Sequence, residues 1–141
     1  MNNGRVLAVD YGTKRIGLAL SDALRITAQP YRTLERSGDE ALLQTFADIV
    51  QQENVSEILM GLPKRLDGSL GDMAKEAKAF GQRLKERIEI PVRYWDERFS
   101  THAAQRALLE GDASRKKRKQ VIDKTAAAWM LQGYLDSQAR G

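Results

Sequence analysis

The sequence predicts an α/β fold: a mixed five-stranded sheet with helices on both faces. Three observations carry this. Three apolar runs joined by tight links open the chain, which suggests an antiparallel meander. Two later apolar runs are each reached through a stretch with helical spacing, which makes them parallel additions to the first. The first run is apolar on both of its faces, as a central strand must be. With 42% hydrophobic residues among 141, the chain can bury a core without covalent staples, and its length fits one domain spanning residues 1–141.

The first strand is read over residues 5–11, ending in "AVDY", and Gly12 to Arg15 forms a short turn. Ile16 to Ser21 alternates like a second strand. A third, around Ile26–Leu34, contains Pro30 and is therefore placed at a sheet edge. Residues 38–53 put Leu42, Phe46, Ile49 and Val50 at helical spacing, and "SEILMGLP" over 56–63 reads as strand four. A second helix spans roughly 69–87, with Leu70, Met73, Ala77, Phe80 and Leu84 on one face, and "PVRYWDE" over 91–97 is strand five. Ser100 or Thr101 can cap a helix ending at Gly111, and a last helix covers 121–138.

Composition narrows the chemistry. There is no cysteine, so disulfides and thiolate metal sites are excluded. No stretch approaches the roughly 18 apolar residues of a membrane span, and the N-terminus lacks a signal-peptide apolar region, so a cytoplasmic location is expected. The formal charge is +4, and its distribution matters more than its size. Gly111 to Lys124 holds six cations and two anions, leaving 17 of each elsewhere. The run Arg115, Lys116, Lys117, Arg118, Lys119 repels itself unless a polyanion neutralises it, which makes it either a solvated linker or a nucleic-acid contact.

Parallel strands deliver their C-terminal ends to one sheet edge, where ligands bind. Asp10 ends the first strand; Asp96 and Glu97 end the fifth. With strand four between them, those ends lie about 9.6 Å apart, two strand spacings, so their side chains can share cations. Successive residues point to opposite faces, so only one of Asp96 and Glu97 faces Asp10; alternation alone leaves open which. A third acid comes from the last helix: Asp123, Ala127, Met130 and Tyr134 are spaced four, three and four, on one face. Each acid has an ordinary reading, as a helix-dipole partner, an Asx turn or a surface ion pair. Three elements delivering acids to one corner is the stronger pattern. Clustered carboxylates repel one another unless a cation sits among them, and oxygen-only donors with a lone histidine favour Mg²⁺ or Mn²⁺. The matching chemistry is metal-assisted phosphodiester hydrolysis.

Lys14 and Arg15, on the turn beside Asp10, and Arg98, after Glu97, are candidate phosphate contacts. Gly61, Gly68 and Gly71 flank a loop near the site and read as turn geometry. His102 reads as solvated, and Trp95 and Trp129 as core residues.

The segments "VDYGTKRIGLALSD", "GLPKRLDGSLG", "DERFST" and "DKTAAAWMLQGYL" together resemble the YqgF family, also called Holliday-junction resolvases, across nearly the whole chain. The resemblance implies a ribonuclease H-like fold and a nuclease that matures the 5′ end of pre-16S ribosomal RNA. It carries over Asp10, Glu97 and Asp123 as catalytic and metal-binding acids, selecting Glu97 over Asp96. One departure stands out: many ribonuclease H-like proteins carry an acid near the end of strand four, where this chain offers Gly61. The expected partners are nucleic acid, pre-rRNA first and branched DNA second, with ribosomal particles as further candidates. A monomer is favoured, since the sequence shows no dimer surface. Two other classes compete. A ribosome-assembly factor that binds RNA without cutting it would use the basic run alone. Asp-x-Gly-Thr also serves as a phosphate loop in actin-like and sugar-kinase-like phosphotransferases, but those close two such domains around a nucleotide.

Overall fold

The computed structural model describes residues 4–63, 67–97 and 125–140. The elements follow the predicted order: β1 (Arg5–Tyr11), β2 (Arg15–Ser21), β3 (Ala28–Glu35), α1 (Asp39–Gln52), β4 (Val55–Leu62), α2 (Asp72–Ile88), β5 (Val92–Asp96) and α3 (Ala126–Arg140). The sheet order is β3-β2-β1-β4-β5. The first three strands pair antiparallel, and β4 and β5 run parallel to β1. The mixed sheet is therefore as predicted, with β4 between the ends that carry Asp10 and Glu97. The helix expected between Ser100 and Gly111 lies outside the described residues.

Side-chain alternation along β1 divides the core in two. Leu7, Val9 and Tyr11 join Leu42, Phe46, Ile49, Phe80 and Leu84 beneath α1 and α2. Val6 and Ala8 join Ala127, Met130, Leu131, Tyr134 and Leu135 beneath α3. Aromatic rings lock the first layer: Tyr11 stacks on Phe80 at 5.0 Å, and Phe80 meets Phe46 edge-on at 5.5 Å. Small alanines in the second layer let α3 approach the sheet closely.

Several boundaries differ from the sequence expectation, each for a local reason. Helix α2 starts at Asp72 because Gly71 stands extended as its N-cap; Leu70, expected inside the helix, precedes it and still packs on the core. The strand at Pro30 is an edge, as proline requires, and its register slips between Leu18 and Ala19, where their partners are Arg32 and Pro30. The last helix is described from Ala126; Thr125 Oγ1 accepts a hydrogen bond from the Ala128 N–H at 3.2 Å, the side-chain bond of a helix start.

One buried charge ties the α3 layer together. Glu57, in β4 and 4% exposed, accepts from Arg25 at 2.9 Å and from the Tyr134 hydroxyl at 2.6 Å, and pairs with Arg93 as well. Burial, followed by the Glu57 hydrogen bond, pushes the Tyr134 hydroxyl up to about 12. Gln132 adds a second clamp: its amide accepts from the Ala28 N–H and donates to the Ile26 carbonyl, both at 3.0 Å. A buried carboxylate is tolerated only while its partners remain. Tyr134→Phe is therefore expected to lower unfolding free energy by about 1.5–3 kcal/mol, the range for a hydrogen bond to a charged group. Urea titration of both proteins measures it.

Candidate active site

The site grows from the parallel core of the sheet. Val9 pairs with Met60, which sets Asp10 level with Gly61 on the face that packs against α3. Trp95 pairs with Gly61 and meets the Tyr134 ring edge-on at 5.7 Å, so it too points to the α3 face. Asp96 alternates away, and Glu97, one residue past the end of β5, has its carboxyl over that face at Gly61. Register thus makes the choice that alternation alone left open.

Asp10 ends β1 and Glu97 follows β5, on either side of β4, yet the Glu97 carboxyl lies over Gly61, near enough for the Asp10 carboxyl to push its titration up. The reason they can meet is Gly61. A Cβ placed there would stand 2.4 Å from Glu97 Oε1 and 2.7 Å from Met130 Sδ. The glycine is a floor over which the Glu97 side chain lies. Expected at the end of strand four as turn geometry flanking a loop, Gly61 sits inside β4, which runs on to Leu62. The missing strand-four acid has the same explanation: no side chain fits between the two carboxyls. Gly68, with φ of 89°, does keep the turn role expected of it, and Gly71 is the α2 N-cap.

Burial and neighbouring charge act together on the Glu97 carboxyl. Burial, then the adjacent charge of Asp10, their shared hydrogen bond and the charge of Asp96 push the Glu97 carboxyl up to about 8. A cation between the two carboxyls would relieve the repulsion. The donors are carboxylate oxygens, the hard ligands that Mg²⁺ and Mn²⁺ prefer, so Asp10 and Glu97 fit such an ion as two of its ligands. Among the described residues no cluster of three or more His, Cys, Asp or Glu forms. The third expected acid, Asp123, lies outside the described residues, as do Arg98, His102 and the basic run Arg115, Lys116, Lys117, Arg118 and Lys119. The expected face of α3 is present: Ala127, Met130 and Tyr134 are all buried.

Lys14 and Arg15 stand exposed on the hairpin turn after β1, at the same end of the sheet as Asp10. Arg15 reaches Glu35 only at 3.8 Å, an exposed and weak pairing that leaves its charge available. Sequence reasoning missed two features here. One is the Gly61 floor, whose signal was a glycine inside the apolar run Ile58–Leu62. The other is Arg36, which braces the turn and is considered below. Trp95 packs on the α3 layer as expected, and its indole Nε1 is buried with no hydrogen-bond partner among the described residues.

This strand order, with helices on both faces of the mixed sheet, is that of a ribonuclease H-like domain. The fold comparison agrees. Over 96% of both chains, the RuvC structure from Thermus thermophilus superposes with a TM-score of 0.60 at 10% identity. The fowlpox virus resolvase in complex with junction DNA superposes with a TM-score of 0.53 at 12% identity. The chain belongs to the RuvX family, whose model, described as "RuvX: Holliday junction resolvase", matches residues 4–137. Among its relatives, a protein of Desulfitobacterium hafniense named "Putative pre-16S rRNA nuclease" is 49% identical over 132 residues, 94% of this chain and 92% of that one. A Desulforamulus reducens protein of the same name is 46% identical over 136 residues, 96% of this chain and 99% of that one. Among the described residues no helix is long and apolar enough to cross a membrane.

Proposed function

We propose that this chain acts as one domain, a divalent-metal-dependent nuclease that processes the 5′ end of pre-16S rRNA in the cytoplasm. The observation that supports the reading is the Glu97 carboxyl lying over Gly61 of β4, level with Asp10 on the same face of the sheet. Two acids forced together by the sheet, with one held protonated near neutral pH, have no structural benefit to the apoprotein; a hard cation gives them one. Asp10, Glu97 and Asp123 would hold the ion, and Mg²⁺ or Mn²⁺ bound there would supply activation of water and neutralisation of charge on the scissile phosphate. Glu97 would release its proton to solvent when such an ion binds. Lys14, Arg15, Arg98 and the run Arg115–Lys119 hold the phosphates on either side, with affinity but little sequence preference.

The family description supports a second substrate, a four-way DNA junction. Purified protein incubated with precursor 16S rRNA, generic single-stranded RNA and a four-way junction, each with Mg²⁺, Mn²⁺ or chelator, separates the readings. Metal-dependent trimming of the precursor alone supports the proposal. Preferential junction cleavage moves the substrate to DNA, and binding without cleavage of any substrate leaves an assembly factor.

Neutralising Arg115, Lys116, Lys117, Arg118 and Lys119 together should flatten the salt dependence of RNA binding. Each lost phosphate contact lowers the log–log slope by about 0.7 for a single strand. Filter binding across a KCl series reads it; an unchanged slope would show that the run meets solvent rather than phosphate.

A further inference from the structure

Resting on the nuclease reading above, we propose that Arg36 is a positioning residue for nucleic-acid binding: it braces the Gly12–Arg15 turn so that Lys14 and Arg15 meet the phosphate backbone beside the paired acids.

Arg36 follows the end of β3 and reaches back across the sheet to the turn between β1 and β2. Its backbone N–H donates to the Lys14 carbonyl at 2.9 Å. Its guanidinium lies over the Tyr11 ring, 4.5 Å from the centroid. From there Nη1 donates to the Gly12 carbonyl at 3.3 Å and reaches the Thr13 carbonyl at 3.5 Å. Three successive carbonyls of one turn are thus held by one residue. Tyr11 is itself fixed, stacked on Phe80 of α2, so the brace is anchored in the core. Glu76 of α2 lies 3.5 Å from the guanidinium and balances its charge.

The turn needs such a brace. It closes tightly, with the Gly12 N–H donating to the Arg15 carbonyl at 3.0 Å, and a Cβ on Gly12 would stand 2.5 Å from that oxygen. Thr13, Lys14 and Arg15 are all exposed, so nothing packs on the tip from outside. Asp10 pairs with Gly17, which places Arg15 two residues, about 7 Å, further along the hairpin. Two cations on a rigid tip at that distance can grip the phosphates flanking the bond to be cut. On a loose tip they would lose affinity to the entropy of ordering it. The side chain lies mostly beneath the turn, 24% exposed, so its part is to hold the tip rather than to carry the main charge. A planar fork with a stacking face suits this role, and lysine offers neither.

The test compares Arg36→Lys and Arg36→Met with the native chain, alone and with Lys14→Gln/Arg15→Gln. Amide hydrogen exchange at Gly12–Arg15 reads the brace directly. Affinity for a short single-stranded RNA, with chelator present to suppress cleavage, reads its consequence. In both variants the turn amides should exchange faster, and RNA affinity should fall about tenfold. Retaining the charge as lysine should not restore it. In the Lys14→Gln/Arg15→Gln background Arg36→Met should have little further effect, since the cations that it positions are gone. Full rescue by lysine, unchanged exchange, or an undiminished effect in that background would overturn the inference. The nuclease reading fails separately: RNA bound with this pattern but never cut removes the catalytic proposal and leaves Arg36 in its place, whereas normal cleavage with unchanged turn exchange does the reverse.

Discussion

Replacing Glu97 with glutamine is expected to reduce cleavage by about a thousandfold or more, while raising the melting temperature of the metal-free protein at neutral pH. The two effects have one cause. Burial and the neighbouring Asp10 push the Glu97 carboxyl up to about 8, against an ordinary value near 4.5. Below that ordinary value both folded and unfolded chains keep the proton. As pH rises from about 4.5 to about 8 the unfolded chain releases it and the folded chain does not, so stability falls across that window and levels off above it. Glutamine is neutral throughout, so this fall should vanish in the variant. Added Mg²⁺ should offset the fall in the native chain and do little for the variant, because the ion binds the ionised carboxylate. Melting curves from pH 4 to pH 9, with and without Mg²⁺, measure all of this. Asp10→Asn should lose cleavage equally and bring the Glu97 carboxyl back towards its usual range. Cleavage that persists in either variant would exclude the paired acids from the chemistry.

Gly61→Ala should be nearly as damaging to turnover, although it removes no functional group. The added Cβ would meet Glu97 Oε1 at 2.4 Å and Met130 Sδ at 2.7 Å, so one or both must move. Met130 is long and flexible but lies fully buried between α3, which carries it, and the sheet, with little room to retreat. Glu97, at the open end of the sheet, is the side that gives, and its carboxyl leaves Asp10. Turnover should fall by about a hundredfold, the usual cost of a displacement near 1 Å. RNA affinity should stay within about twofold, because the phosphate contacts lie elsewhere. The overpacking should cost about 1–3 kcal/mol of stability. Steady-state kinetics, equilibrium binding and urea unfolding on one preparation separate the three effects. Native turnover in Gly61→Ala would mean that Glu97 need not lie over β4.

Much of this was legible beforehand. The double-sided apolar run of β1, the proline in β3 and the helical spacing before β4 and β5 were enough to give the strand pairing, because burial and backbone hydrogen bonding leave few arrangements for such a pattern. Asp10 was legible as a polar residue where an apolar strand ends. Glu97 was told from Asp96 only by the family resemblance, since either parity suits an isolated strand. Gly61 was misread as turn geometry, because a glycine's reason for being in a strand lies in whatever crosses above it. Arg36 carried no signal at all: one arginine among many, its role set by a ring, two carbonyls and an acid from three other segments.

The division has a physical basis. Periodicity, chain breaks and charge runs are local, so the chain alone determined the order of its elements, the sheet they form and the edge to which its acids are delivered. Contact is not local. Which acid faces Asp10, why β4 carries no side chain between them, and what holds the neighbouring turn were decided only when register, at about 3.4 Å per residue, and strand spacing, at about 4.8 Å, brought distant residues to the same place.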